Sequence, residues 1–482
     1  METPVIIVHY HLKTGGVTRV IEKQVAALQA LNTPYLVLSG EEYKGKLNHR
    51  TISALNYCQS AAPESYQELL DHCLSAAQEA FGQQAVIWLI HNPTLGKNIM
   101  FPSLVRGLAE AQQYLVLHCH DFAEDGRGDN YQLLGEEETY PIAPNIHYAF
   151  INSKDYQAFR KTDIPSTSLH LLPNAIQAPK LDNLRKFAEK KRVIYPVRGI
   201  RRKNVGELLL WAALAPEDTE FALTLAPENQ LWLPYYQIWD SLAYELKLPV
   251  HLNCVDKVDA TGQTGKSYED WMRAATHCIT TSVAEGFGLT FLEPLSVNIP
   301  IIGRDIPEIT ADFRPHCQQL GNLYQKLLIP VYCVDTTSLY SELNDALESS
   351  YLVYNREYKE EFLQEAWREM TKFGYIDFSN LPEHQQVQVI TKVRLEGFRD
   401  IKVLSDGIVL EATEWLRIAL NEESDQDYSS LLSAFSQENY TEKLHKLLHS
   451  VASSKRGTVS WQNRDEVLDL FLSPSHFHFL KS

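Results

Sequence analysis

With 482 residues, 44% of them hydrophobic and 22% charged, the chain has the composition of a globular protein too long for a single core. A formal net charge of −17 is repelled by phosphate backbones and acidic headgroups, which excludes nucleic acid as an expected partner and disfavours docking on an anionic membrane. No apolar run approaches the ~20 residues of a membrane helix, and the seven scattered cysteines contain no Cys-x-x-Cys pair, which points to a reducing, cytoplasmic setting.

Met1-Glu2-Thr3-Pro4 lacks the basic flank of a signal peptide, so Val5–Tyr10 is expected as a first strand. Thr18–Leu31 carries helical periodicity, and Tyr35–Leu38, Ala85–Ile90, Tyr114–His118 and Ile146–Ile151 read as further strands. Residues 177 to 191 read as a polar linker with a short helix. A second alternating set follows, with strands Arg192–Pro196, Phe221–Leu225, Val250–Leu252, Cys278–Thr281 and Ile299–Ile302. Its helices are expected at Asn204–Leu214, Leu231–Leu246, Tyr268–Ala275 and Gly288–Ser296. The last stretch carries helical signals at Glu411–Leu420, Ser429–Phe435 and Thr441–Val451 around an acidic loop, Asn421–Asp427. This pattern predicts an α/β chain in three parts. They are a Rossmann-like domain over 1–176, a second over 177–393, and a helical C-terminal appendage over 394–482, the last a candidate homo-oligomer contact.

Three loops carry chemistry. Gly15 and Gly16 sit between the first strand and the first helix, where two glycines let backbone N–H groups approach an anion; a simple tight turn is the rival reading. Arg198-Gly199-Ile200-Arg201-Arg202-Lys203 places four cations after the first strand of the second domain, where α/β sheets bind ligands, and suits a diphosphate; the rival is a solvated basic turn. Glu285-Gly286-Phe287-Gly288-Leu289 leads into a helix that carries Glu293 eight residues on, roughly 12 Å along a helix axis. That is the reach from a donor sugar past two phosphates to a ribose, whose hydroxyls a carboxylate can accept. His118 and His120 share one face of a strand with Cys119 on the other, so fewer than three ligands converge and no metal site is expected. Asp425-Gln426-Asp427 reads as a solvated acidic loop.

In order along residues 5–390 stand Gly15-Gly16, His120-Asp121, Asn152-Ser153, Leu172-Pro173-Asn174, Arg198 with Lys203, and Glu285 to Glu293. In these motifs the chain resembles the retaining GT-B glycosyltransferases of family 4, the glycogen-synthase-like group. The resemblance implies two Rossmann-like domains facing across a cleft, and retaining transfer of a hexose to a hydroxyl of a small soluble acceptor: a sugar, polyol or sugar acid. The donor would be a UDP-, GDP- or ADP-hexose as co-substrate, with no other cofactor. It further implies that Arg198 and Lys203 neutralise the donor diphosphate, Glu293 holds the ribose and Glu285 lies near the donor sugar. Backbone N–H groups of Gly286, Phe287, Gly288 and Leu289 would bind sugar hydroxyls or phosphate. Gly15 and Gly16 would lie beside the donor phosphate or an acceptor, and His120 would face the reacting sugar. Asp121 and Arg127, in the loop after His120, are the candidate acceptor contacts. Two features depart from the family pattern: Ala226-Pro227-Glu228 replaces a frequent Gly-x-Gly turn, and Pro294 falls inside the second motif's helix. A nucleotide-sugar-binding protein with weak turnover is the alternative function.

Overall fold

The computed structural model describes residues 2–13, 15–135, 138–176, 178, 190–255, 265–422 and 426–481. The chain forms two compact units, one of Met1–Ala175 with Ser350–Arg356 and Ser433–Ser473, the other of Ile176–Ser349 with Glu357–Leu432 and Pro474–Ser482. Most of the expected linker at 177–191, and Asp425 of the acidic loop, lie outside the described residues.

The first unit is built on strands β1 (Val5–Val8), β2 (Tyr35–Ser39), β3 (His49–Thr51), β4 (Ile87–His91), β5 (Tyr114–Cys119), β7 (Ile146–Phe150) and β8 (Leu169–Leu171), with β6 (Pro141–Ile142) outside the main sheet. The seven pair in parallel in the order β3-β2-β1-β4-β5-β7-β8. β1, β4 and β7 are buried along their whole length, as expected for strands covered on both faces. The order reverses between β1 and β4, and ligands of open α/β sheets bind beyond the carboxyl ends of strands at such a point.

The second unit repeats the plan. β9 (Lys191–Arg198), β10 (Thr219–Leu225), β11 (Val250–His251), β12 (His277–Thr280), β13 (Ile301–Arg304) and β14 (Asn322–Tyr324) form a parallel sheet ordered β11-β10-β9-β12-β13-β14, with its reversal between β9 and β12. The helix Val205–Leu214, VGELLLWAAL, is apolar nearly all round and wholly buried. A small antiparallel sheet follows, made of β15 (Lys326–Pro330), β16 (Tyr375–Asp377), β17 (Lys402–Ser405) and β18 (Ile408–Glu411).

Two local expectations change. The helix expected over Gly288–Ser296 is α-helical only at Leu289–Leu292 and continues as a 3₁₀ turn at Leu295–Val297, because Pro294 has no N–H to donate back into the helix. The stretch 394–482, expected as a separate helical appendage, contributes to both units. It contains the β17–β18 hairpin, turned by Asp406 and Gly407 at φ of 48° and 78°, an Asp-Gly signal typical of two-residue hairpin loops. Its helix Gln437–Ala452 buries Tyr440, Leu444, Leu447, Leu448 and Val451 in the same apolar cluster as Ile21, Val25 and Leu28 of the first helix. The strand β19 (Ser460–Trp461) pairs with β6. The apolar face of the helix Gln437–Ala452 is thus used within the first unit.

Candidate active site

The switch point of the second unit gathers the basic turn and the glutamate loop. β9 ends at Arg198, a 3₁₀ turn spans Arg201–Lys203, and Asn204 at φ 49° starts the buried helix. Beside it, the segment after β12 is stitched on. Thr281 Oγ1 donates to the carbonyls of Lys203 (2.9 Å) and Asn204 (3.1 Å), and Val283 N–H donates to the Arg202 carbonyl (2.9 Å). The Lys203 ammonium forms an ion pair with Glu285, whose carboxylate also accepts from Ser282 Oγ at 2.6 Å; Tyr195 Oη lies 2.6 Å from the same Ser282 oxygen. The Lys203 and Glu285 side chains are only 10% and 9% exposed. Burial alone would raise the Glu285 carboxyl, but the Lys203 charge, then that of Arg202, holds it below its ordinary value, while burial pulls Lys203 down.

The cations of the turn are not equivalent. Arg201 is committed elsewhere: it forms a two-pronged pair with Glu383 (2.6 and 3.2 Å) and stacks over Tyr235 with its guanidinium 4.6 Å from the ring centre. Arg198 donates to the Ala226 carbonyl (3.2 Å) and pairs with the exposed Glu228 (2.8 Å), so the Ala226-Pro227-Glu228 turn sits on the guanidinium expected to meet phosphate. Gly288 has φ 91°, and a Cβ there would come within 2.7 Å of Ile309, so only glycine fits. Phe287 is buried, Gly286 and Leu289 are half-buried, and Glu293 lies half-buried at the end of the short helix.

Behind this loop lies a buried network. Arg304 donates to both oxygens of Glu207 (2.9 and 2.6 Å) and both of Asp377 (2.8 and 2.7 Å). Glu207 also accepts from Asn204 Nδ2 (2.8 Å) and Tyr324 Oη (2.5 Å), which ties the network to the residue after Lys203.

In the first unit Gly15 caps the helix Gly16–Ala30, and Thr18 Oγ1 closes the turn onto the Lys13 carbonyl (2.5 Å). At the ends of β4 and β5, Asn92 Oδ1 accepts from the N–H groups of His120 (2.8 Å) and Asp121 (3.2 Å). Arg127 turns back on its own loop, to Asp121 (2.5 Å) and the Phe122 carbonyl (2.9 Å), which leaves it less available to an acceptor than expected. His120 belongs to a cluster that sequence spacing did not show. His91 of β4 stands opposite His118 of β5 in the parallel register. His91 Nδ1 lies 2.8 Å from His120 Nε2, His91 Nε2 lies 2.8 Å from Gln24 Oε1, and Gln24 Nε2 lies 3.0 Å from His118 Nδ1. The expectation of fewer than three convergent imidazoles is therefore corrected: His91 is the third, and one nitrogen from each ring falls within 4.8 Å of the others. Burial favours the neutral rings: it lowers His120 to about 4 and neighbouring His9 to about 3, and holds His91 and His118 well below the ordinary histidine value.

No protein-family model matches the chain. A mannosylglucosyl-3-phosphoglycerate synthase of Petrotoga mobilis is 24% identical over 485 aligned positions, covering 92% of this chain and 91% of that protein. A glycosyltransferase from Rickettsia africae superposes with a TM-score of 0.54 at 10% identity, over 94% of this chain and 99% of the other. The catalytic domain of starch synthase IV from Arabidopsis thaliana gives 0.50 at 11% identity, over 94% and 99%. The chain is a glycosyltransferase of GT-B fold. Of its expected site residues, the second unit brings together Lys203 and Glu285 and places Arg198 at the end of β9, just before the turn that carries Lys203. Tyr195, Ser282, His91 and Gln24 were not anticipated. The His91–His118 pairing was hidden because it depends on which strands become neighbours.

Proposed function

We propose that this protein transfers a hexosyl group from a nucleoside-diphosphate sugar to a hydroxyl of a small soluble acceptor, with retention of anomeric configuration. The observation that carries this reading is the buried Lys203–Glu285 pair at the β9/β12 switch point, with Arg198 at the end of the adjoining strand. In the reaction the bond from the sugar C1 to the phosphate oxygen breaks, and a bond from C1 to the acceptor oxygen forms on the same face. The proton of the acceptor hydroxyl passes to the departing phosphate. Negative charge grows on the leaving diphosphate, and Arg198 and Lys203 stabilise it most in the transition state. Glu293 takes the ribose, Glu285 the donor sugar, and the amides of Gly286–Leu289 the sugar hydroxyls or phosphate. In the first unit, the loops of Gly15-Gly16, Asp121 and Arg127 serve the acceptor side, and His120 faces the reacting sugar.

The Petrotoga relative is named for a product in which mannosyl and glucosyl units are joined to 3-phosphoglycerate, and this supports a small sugar-bearing acceptor. The described residues contain no helix long and apolar enough to cross a membrane, and all seven cysteines are free, in keeping with a cytoplasmic setting. No metal is assigned to the donor, since the cations of the chain can meet its charge.

Thermal unfolding across UDP, GDP, ADP and their hexoses tests the donor assignment. One nucleoside diphosphate should raise the midpoint, since ligand at 100 times its Kd stabilises by about 2.7 kcal/mol. No shift with any of them would sink the reading. Glu228 supplies a second test. Donor phosphate must displace its carboxylate from Arg198, and an exposed pair of this kind is worth about 0.2–1 kcal/mol. Glu228→Gln should therefore lower the donor KM by up to about fivefold with kcat unchanged; a raised KM would show that Glu228 itself helps to bind the donor.

A further inference from the structure

The geometry points to Gln24, His91 and His118 as a hydrogen-bonded relay that presents His120 to the sugar as a single neutral tautomer, proton on Nε2 and bare Nδ1 open to accept from a hydroxyl. Gln24 and His91 are thus positioning residues, and the inference rests on the proposed placing of His120 at the reacting sugar.

The tautomers follow link by link. Gln24 Oε1 can only accept, so His91 Nε2, 2.8 Å away, carries a proton and donates it. Neutral His91 then has a bare Nδ1, so His120 Nε2, 2.8 Å from it, must be the donor. Gln24 Nε2 donates to His118 Nδ1 at 3.0 Å, which places the His118 proton on Nε2, an atom buried without a partner. His120 Nδ1 is the end of the line, with no partner among the described residues. Gln24, His91 and His118 are fully buried and His120 is 6% exposed, so water does not compete along the chain.

The same rings do not make a prepared metal site. Two nitrogens 2.8 Å apart are a hydrogen-bonded pair, whereas two ligands of a tetrahedral ion bound at ~2.0–2.1 Å stand about 3.3 Å apart. Nor can one amide prepare both neighbours. To ligate through Nδ1, His91 needs an acceptor at its Nε2; to ligate through Nε2, His118 needs an acceptor at its Nδ1; and Gln24 has a single oxygen. The titratable groups facing the relay are His9 and His11 from the end of β1, Asp121 beside His120, and Tyr440 facing Gln24.

Two measurements on the full-length protein test this. In ¹⁵N-histidine-labelled wild type at pH 7.5, two-bond ¹H–¹⁵N correlations should show His91 and His120 as Nε2–H tautomers. An Nδ1–H His120, a tautomeric mixture, or a stoichiometric transition metal in the purified protein would overturn the relay. In Gln24→Glu, a carboxylate of the same shape pulls a second proton onto His91. The resulting imidazolium donates from Nδ1 to His120 Nε2 and turns the open Nδ1 of His120 from acceptor into donor. Release of nucleoside diphosphate from UDP-glucose and GDP-mannose, each with and without glucosyl-3-phosphoglycerate, provides the rate. For the donor that is turned over, kcat of Gln24→Glu should fall at least tenfold from pH 8.5 to pH 6 with little change in KM, while the wild type stays flat. An unchanged profile in the folded variant refutes the coupling. If His120→Ala turns over at the wild-type rate, the placing of His120 at the sugar fails and the functional half of the inference falls with it; the tautomer measurement then judges the relay alone.

Discussion

The Arg198→Ala/Lys203→Ala double variant is expected to lose at least about 100-fold in kcat, the scale of removing one preorganised charge-stabilising donor from an active site. The loss should fall on kcat more than on donor KM. A diphosphate still linked to the sugar is less negative at the breaking oxygen than one that is leaving, so cations aimed there favour the transition state over the ground state. The double variant also leaves the buried Glu285 carboxylate without its cation, and breaking a buried pair in this way costs about 3–5 kcal/mol of stability. Circular dichroism and thermal unfolding must therefore accompany the kinetics. Adding Glu285→Gln removes the stranded charge and should recover part of the stability while leaving kcat low. A folded double variant that retains near wild-type kcat would refute the diphosphate role of both cations.

The largest effect on folding is expected from Arg304→Met. Arg304 is 5% exposed and is shared by two carboxylates, Glu207 at 0% and Asp377 at 8%. Without the guanidinium both acids are left in a low-dielectric interior, and the loss of one partner from such a group costs about 3–5 kcal/mol. At roughly 2–4 °C per kcal/mol for a unit of this size, the unfolding transition of the second unit should move down by about 6–20 °C. Calorimetry resolves this if the two units melt separately. Neutralising the acids in the same background, as Arg304→Met/Glu207→Gln/Asp377→Asn, should return part of the loss, since amides bear burial far better than unpaired carboxylates. A shift under 2 °C in the single variant would mean that water reaches the acids and the network is not sealed. Because Asn204 bonds Glu207 and directly follows Lys203, the single variant should also weaken donor binding, a coupling that an isolated core defect would not produce.

Much of this protein is legible locally. The alternation of apolar strands with amphipathic helices is a property of neighbouring residues, and it placed five of the seven strands of the first parallel sheet and five of the six of the second; the three-residue strands β3, β8 and β14 are too short to carry a period of their own. The motif loops could be picked out because glycines, which free the backbone, and cations and carboxylates, which carry their charge in their side chains, are recognisable residue by residue at strand ends. The Asp406-Gly407 turn of the β17–β18 hairpin is a local signal too, set in a stretch dominated by helical periodicity. Pro294 announced a break in its helix, and the structure shows where the break falls.

What the amino-acid order alone determined was therefore the α/β class, the doubled Rossmann-like plan and the positions of Lys203, Glu285 and His120. What only the tertiary structure decided was which distant residues meet. β4 and β5 pair across a crossover that runs from His91 to Tyr114, so no local period reveals that His91 faces His118, that Gln24 bridges them, or that Tyr195 and Ser282 back the Lys203–Glu285 pair. Charge adds a second reason. Four cations in six residues look alike on paper, but the packed chain commits Arg201 to Glu383, buries Lys203 against Glu285 and leaves Arg198 under an exposed carboxylate, because each guanidinium or ammonium takes the partner that the fold brings within hydrogen-bonding reach.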